Sequence, residues 1–191
     1  MIGYYTDIEL ADLGFGAVGK NVRISKTSTI YNRSNVFIGD NVRIDNFCTL
    51  AISGDAKLEI GNHVQISAYS FINGMADVIL MDFVTFAPAV RVFSTTDDYS
   101  GKTMTNATIP AEYLGSFSER VVLEKHVIIG VASTIMPGVI LKEGTAVAGH
   151  SFVNQNSEEF TLIGGVPAKY IKLREKDLLA LEKRLKNAHG L

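Results

Sequence analysis

Disulfides are excluded from this chain, because Cys48 is its single cysteine. That thiol reads as a small apolar core residue, and a chain without disulfides fits a reducing, cytoplasmic setting. No apolar run approaches the roughly 20 residues that span a bilayer. The N-terminus lacks the basic-then-hydrophobic order of a signal peptide, so neither a membrane partner nor export is expected. Charge of neither sign dominates: 18 Lys+Arg against 20 Asp+Glu leave a net charge of −2 and a pI near 6.1. This balance disfavours nucleic acid and anionic membrane surfaces as partners. Histidine is also scarce, with four in the chain and no pair in an HxxxxH spacing.

What is present is a repeat. Over residues 36–93 and 121–153 an aliphatic or aromatic residue returns every six positions, in runs such as Ile38, Ile44, Leu50 and Ile60, Ile66, Ile72. The later runs are Leu80, Phe86, Val92, then Leu123, Ile129, Ile135, then Leu141, Val147, Val153. Four positions on from most of them stands something small or β-branched, among them Val42, Cys48, Ser70, Ser133, Thr145 and Ser151. A helix repeats near 3.6 and a strand at 2; a strict six fits short strands separated by turns. Three such units make one triangular coil, and coils stack at the strand spacing of about 4.8 Å. The spacing therefore predicts an all-β solenoid, a parallel β-helix of hexapeptides with its apolar columns facing into a narrow prism. Gly39, Gly61, Gly130 and Gly144 fall at or near its corners, where a tight bend or positive φ suits glycine.

Length and a hydrophobic content of 47% suit one domain with modest ends. Residues 1–17 read as an N-terminal helical cap, with a short helix over Ile8–Leu13 and a capping box from Thr6 to Glu9. Residues 18–168 read as the β-helix, interrupted by an arm at 93–120. A loop of that length is usually functional, and Tyr99, Tyr113, Phe117 and Pro110 give it the composition of an ordered element that packs on a neighbouring subunit. Residues 169–191 read as a C-terminal helical tail, with Leu178, Leu181, Leu185 and Ala188 on one face and Glu182, Lys183 and Lys186 among the solvated residues. Gly190 lies past its end.

The hexapeptide repeat, the arm after the third clear coil and the closing segment GGVPAK (164–169) together resemble the left-handed β-helix acyltransferases over about nine tenths of the chain. Within that group SxxDDYSG, TNxTxPxEY and LxKHVIIGxxSxxxPGV resemble the dTDP-4-amino-4,6-dideoxyglucose acyltransferases of polysaccharide pathways. The resemblance implies a homotrimer of parallel prisms, acetyl-CoA in a groove between two subunits and a nucleotide sugar bound near the arm. It implies no metal. Sugar O-acetyltransferases of this fold use an arm histidine, and their pattern puts it at Asp97 here; the arm has no histidine. An alcohol needs a strong general base, whereas an amine of pKa about 8 needs only a group to hold it and take one proton. Carboxylates at this place favour N-acetylation of an amino-deoxy sugar over O-acetylation.

The candidate catalytic residues are Asp97, Asp98 and His126, the last at a corner shared with Asn41, His63, Phe83 and Gly144 and beginning the coil after the arm. Asp97 and Asp98 can equally be turn residues, and a corner histidine can equally be solvated. For the coenzyme the candidates are Gly130, Ala132, Ser133, Ala148, Gly149 and Gly165, small residues past which a pantetheine chain can run, with Lys169 and Arg174 for its phosphates. For the acceptor they are Ser67, Tyr69, Asn73 and Tyr99. Two other classes compete. A zinc hydratase of this fold needs three convergent imidazoles, and His63, His126 and His150 stand on three separate coils. A non-catalytic solenoid fits the repeat but leaves the acidic arm and the GGVPAK ending unexplained.

Overall fold

The computed structural model describes residues 3–189; Gly190 lies outside them. The six-residue columns form a left-handed parallel β-helix with three faces. The first face has six strands, from Ala17–Val18 through Leu58–Ile60 and Val121–Leu123 to Ile140–Leu141. The second has eight, from Arg23–Ile24 to Thr161–Gly165 and Ala168–Leu173, and the third has six, from Thr29–Tyr31 to Phe152–Val153. Register follows the repeat: Ile44, Ile66, Phe86, Ile129, Val147 and Ile163 are successive partners on the second face. These columns and the intervening Val42, Cys48, Val64, Val84, Val90 and Val127 are buried. Each aliphatic side chain taken fully out of water contributes about 1.5–3 kcal/mol, which is what holds strands of two or three residues in place.

The corners turn through left-handed backbone, and mostly without glycine. On the edge joining the first and second faces, Asn41, His63, Phe83 and His126 have φ of 57–64° and Gly144 has 70°. On the edge joining the second and third faces, Phe47, Tyr69, Ala89, Ala132 and His150 do the same. Each corner N–H is bonded to the previous coil, as His63 to Asp40 O and His126 to Asp82 O. The hydrogen bond and coil stacking offset the roughly 1–2 kcal/mol that a side chain costs there. Of the glycines expected at corners only Gly144 has positive φ. Gly130 serves close approach instead: a Cβ on it would lie 2.5 Å from Gly149 N.

Both ends of the stack reverse direction. At the N-terminal end Tyr4 bridges Ser25 antiparallel, with Tyr5 N–H donating to Ile24 O. A short helix, α1 (Asp7–Asp12), follows, and Thr6 and Glu9 make the expected capping box. At the C-terminal end Thr161–Gly165 pairs antiparallel with Ala168–Leu173. Residues 168–173 are thus a strand added to the second face, and the helical tail expected from 169 begins later, as α2 (Asp177–His189). The last first-face strand is closed by side chains: Ile140 N–H donates to Asn156 Oδ1 and Lys142 N–H to Ser157 Oγ.

Helix α2 returns along the first-to-second edge, not over the end of the prism. Its stripe differs from the one expected. Leu178 and Leu185 are half-buried, but Leu181 is 59% exposed, while the side chain of Glu182 is only 11% exposed. A carboxylate occupies the contact because the edge it meets is cationic and aromatic. Among the described residues no helix is long and apolar enough to cross a membrane.

Candidate active site

The arm leaves the third face after Phe93 as a two-stranded antiparallel ribbon, in which Thr95, Thr96 and Asp97 face Ser118, Phe117 and Ser116. Its root is fixed by Ser94, which is buried, donates from Oγ to Ala76 O at 2.6 Å and fills the space that a Cβ on Gly74 would need. Glu119 N–H closes the root on Ser94 O.

The two adjacent aspartates have separate jobs. Asp98 accepts from Ser100 N–H at 2.8 Å and from Thr103 N–H and Oγ1 at 3.2 and 3.1 Å. Hydrogen bonds from Ser100 first, then Thr103, hold its carboxyl down to about 2. Asp98 thus ties the arm to itself, and it also lines a smaller hollow of the arm together with Asp97 and Tyr99. Asp97, one residue earlier on the ribbon, lines a cavity of about 750 Å³ between arm and third face. Phe93, Met136, Phe152 and Asn73 supply the face side of this cavity, and Thr95 and Tyr99 join Asp97 on the arm side. The structure therefore brings together Asp97, Tyr99 and Asn73. A second cavity of about 720 Å³ lies at the N-terminal coils beside Tyr4, Arg23 and Arg43. Its Arg43 is already engaged, with Nε 2.6 Å from Asp45 Oδ1.

His126 does not join this group within the chain. The arm leaves the edge between the third and first faces, and His126 stands on the edge between the first and second, across the strand Val121–Leu123. Its ring stacks on Phe83 at 4.8 Å, and Phe83 stacks on His63 at 5.0 Å. Its Nε2 meets Glu182 Oε2 at 2.7 Å. Glu182 also pairs with Lys186 at 2.6 Å and Lys125 at 3.6 Å. Burial opposes the charge on Glu182, but the hydrogen bonds from Lys186 and His126 outweigh it and bring the carboxyl down to about 2. The position expected to lie beside the arm is a docking point for α2. His150 stands on the other edge, so the three histidines do not converge.

Ser67 and Tyr69 also lie away from Asp97, on the second-to-third edge, where Tyr69 stacks on Phe47 at 5.2 Å. The same edge carries the small residues at the late coils. Gly130, Ala132 and Ala148 are half-buried, Gly149 and Gly165 exposed, and the exposed Lys169 pairs with Gly164 across the terminal hairpin. Ser133 is excluded from a coenzyme contact, since it is fully buried and its hydroxyl donates to Ala148 O and accepts from Ser151 N–H. Arg174 is held by Gly144 O through its guanidinium and by Phe160 O through its N–H, which turns it toward the first-to-second edge. Burial thus removes Ser133 from the surface the coenzyme candidates share, and Arg174 stands apart from the strip of small residues. Phe93, Met136 and Phe152 were not singled out by their sequence context; all three are outward neighbours of column residues, and only the arm folding over them makes a cavity wall. Among the described residues no group of three His, Cys, Asp or Glu side chains is arranged to hold a metal ion.

No protein-family model matches the chain. Individual proteins do. A dTDP-4-amino-4,6-dideoxy-D-glucose acyltransferase of Escherichia coli is 40% identical over 181 residues, covering 95% of this chain and 94% of that protein. AntD, an N-acyltransferase from Bacillus cereus solved with dTDP and 3-hydroxybutyryl-CoA, superposes with a TM-score of 0.95 at 37% identity, and each chain is covered completely. A serine-to-alanine variant of AntD, solved with dTDP-4-amino-4,6-dideoxyglucose and coenzyme A, gives 0.92 at 38% identity, covering 98% of this chain and all of that one.

Proposed function

Because the chain belongs to the dTDP-4-amino-4,6-dideoxy-D-glucose acyltransferases, we propose that it moves an acyl group from a coenzyme A thioester to the 4-amino group of dTDP-linked 4-amino-4,6-dideoxyglucose. The observation that carries the reading is Asp97, a carboxylate lining the arm cavity in an arm that contains no histidine. The amine, of pKa about 8, binds to Asp97 as its ammonium form and passes one proton to that carboxylate, which returns it to water, and the freed nitrogen lone pair attacks the thioester carbonyl. The C–N bond forms and the C–S bond breaks. The remaining extra proton on nitrogen leaves with the thiolate as coenzyme A thiol. Positioning of the two substrates supplies most of the rate. Small residues at 130, 132, 148 and 149 leave room for pantetheine along the late coils, and Lys169, exposed and paired with Gly164 across the terminal hairpin, offers a cation for a phosphate.

Assembly as a homotrimer suits this reading. Tyr99 is 89% exposed and Phe117 and Tyr113 are half or more exposed on the arm, and rotational closure would give these rings and the open groove a second wall. The acylated sugar would then be handed, in the cytoplasm, to glycosyl transfer for a surface polysaccharide.

The test is a mass-spectrometric screen of acetyl-CoA and 3-hydroxybutyryl-CoA against dTDP- and UDP-linked 3- and 4-amino-deoxy sugars, with hydroxyl sugars alongside. Acyl transfer to the 4-amino dTDP sugar is expected. Transfer to a hydroxyl sugar alone would replace the amine by an alcohol in this reading, and light scattering that gives an active monomer would remove the trimer.

A further inference from the structure

The wall of the arm cavity is graded. On the third face Phe93 is the register partner of Asn73 on the coil before it, and Met136 follows on the coil after it, since Arg91 and Val92 pair with Thr134 and Ile135. These three outward side chains therefore form one column, one coil apart, about 4.8 Å per step. Phe152 lies beside the column on the next coil, paired with Thr134. The wall runs from an amide at Asn73 through the Phe93 ring to the Met136 thioether, with the Phe152 ring beside that end, and Asp97 faces it from the arm.

The chemistry of a 4-amino-4,6-dideoxyhexose is graded in the same way. Its amine on C4 has a hydroxyl on one ring neighbour, C3, and a methyl on the other, C5. A site that fixes the amine must meet a polar group on one side and an apolar group on the other. Resting on the acceptor proposed above, we infer that Phe93, Met136 and Phe152 form the seat of the C6 methyl while Asn73 takes the 3-hydroxyl, so that this wall selects 6-deoxy acceptors over 6-hydroxy ones. A hydroxyl turned into the Met136–Phe152 end would lose its water and find no partner among those three side chains. An apolar pocket rejects an added hydroxyl by about 100-fold at most.

The experiment compares kcat/KM for dTDP-4-amino-4,6-dideoxyglucose and its 6-hydroxy counterpart in the wild-type protein and in Met136→Gln, Phe152→Gln and Met136→Leu. A preference of about 10- to 100-fold for the 6-deoxy sugar is expected. It should fall at least fivefold in the two Gln variants and persist in Met136→Leu, which keeps the apolar volume and controls for folding. The KM for acyl-CoA and the preference among acyl chains should not move. Equal use of both sugars by the wild type overturns the wall while leaving N-acylation intact. A change in acyl-chain preference with an unchanged sugar ratio overturns it too, and hands the apolar end to the acyl group. No turnover with either sugar, when another amine is acylated, overturns the acceptor and this inference with it.

Discussion

The imidazole Nε2 of His126 lies 2.7 Å from Glu182 Oε2, 56 positions further along the chain. One carboxylate thereby gathers His126, Lys125 and Lys186 and fastens α2 to the aromatic column of the edge. Nearby, Lys176 lies over the Phe160 ring at 4.8 Å, so two polar contacts do what an apolar stripe does in most terminal helices.

Glu182→Gln should loosen α2. A hydrogen bond to a charged group is worth about 1.5–3 kcal/mol, and a loss of that order in urea unfolding is expected at pH 6–7. The sign with pH follows from a folded carboxyl at about 2 against an ordinary value of 4.5 when unfolded. Its contribution is complete above the unfolded value, declines as pH falls below 4.5 and is gone below 2. The stability gap between wild type and variant should therefore close on acidification through that window. A gap that stays constant from pH 6 to pH 2 would show that the charge on Glu182 is not what docks the helix.

Asp97→Asn and Asp98→Ala should part company. The first keeps the shape of the cavity and removes the charge, so turnover should drop by roughly 10²–10⁴ with an unchanged melting curve and coenzyme KM. The second removes three hydrogen bonds within the arm. It should expose residues 98–115 to limited proteolysis and raise the acceptor KM, with the prism melting as before. Near-normal turnover in Asp97→Asn would strike it from the reaction.

Lys169→Ala should raise the KM for acyl-CoA by about ten- to a hundredfold, the equivalent of one charge-assisted contact, and leave the acceptor KM alone. An effect on the acceptor only would move Lys169 out of the coenzyme groove.

Two adjacent-coil glycines separate packing from ligand binding. Gly130→Ala would press a methyl to within 2.5 Å of Gly149 N, which is backbone and must move. An overpacking loss of about 1–3 kcal/mol should appear as a lower melting temperature. Gly149→Ala meets the movable Val131 Cγ1 at 3.1 Å and the Val131 backbone at ordinary contact, 3.4 Å and beyond; it should melt near wild type yet weaken coenzyme binding by narrowing the strip. Equal melting temperatures for the two would dissolve the distinction.

Much of this architecture is local and therefore legible. A side chain that must point inward every sixth residue leaves a mark in the sequence wherever it occurs, and Ile44, Ile66, Phe86 and Ile129 lie where their spacing puts them. The Thr6–Glu9 box is legible for the same reason, since both partners fall within one turn. Glu182 is not. On a helical wheel it belongs to the charged side, and only the edge formed by residues 125 and 126 turns that side inward. Ser133 misleads in the opposite way: a small residue beside glycines reads as room for a ligand, although its place in the six-residue column already turns it into the core. Asp97 and Asp98 differ through the ribbon's pairing and the bonds from Ser100 and Thr103, and nothing in the dipeptide itself says which of them lines the cavity against the third face. The cavity wall is the least legible part, because Phe93, Met136 and Phe152 meet Asp97 only through the path of a long loop.

A stack of parallel coils is in principle endless, for each coil offers the next the same row of amides and carbonyls that it has just used. The antiparallel segments at Tyr4–Tyr5 and Ala168–Leu173 break that sameness. A strand running the other way no longer repeats the register, and Asn156 and Ser157 occupy the donors left over on the first face. The molecule thus carries its own terminators, as a growing crystal would if its final layer were laid face down, and end-to-end polymerisation into fibres is resisted by the chain's own reversals.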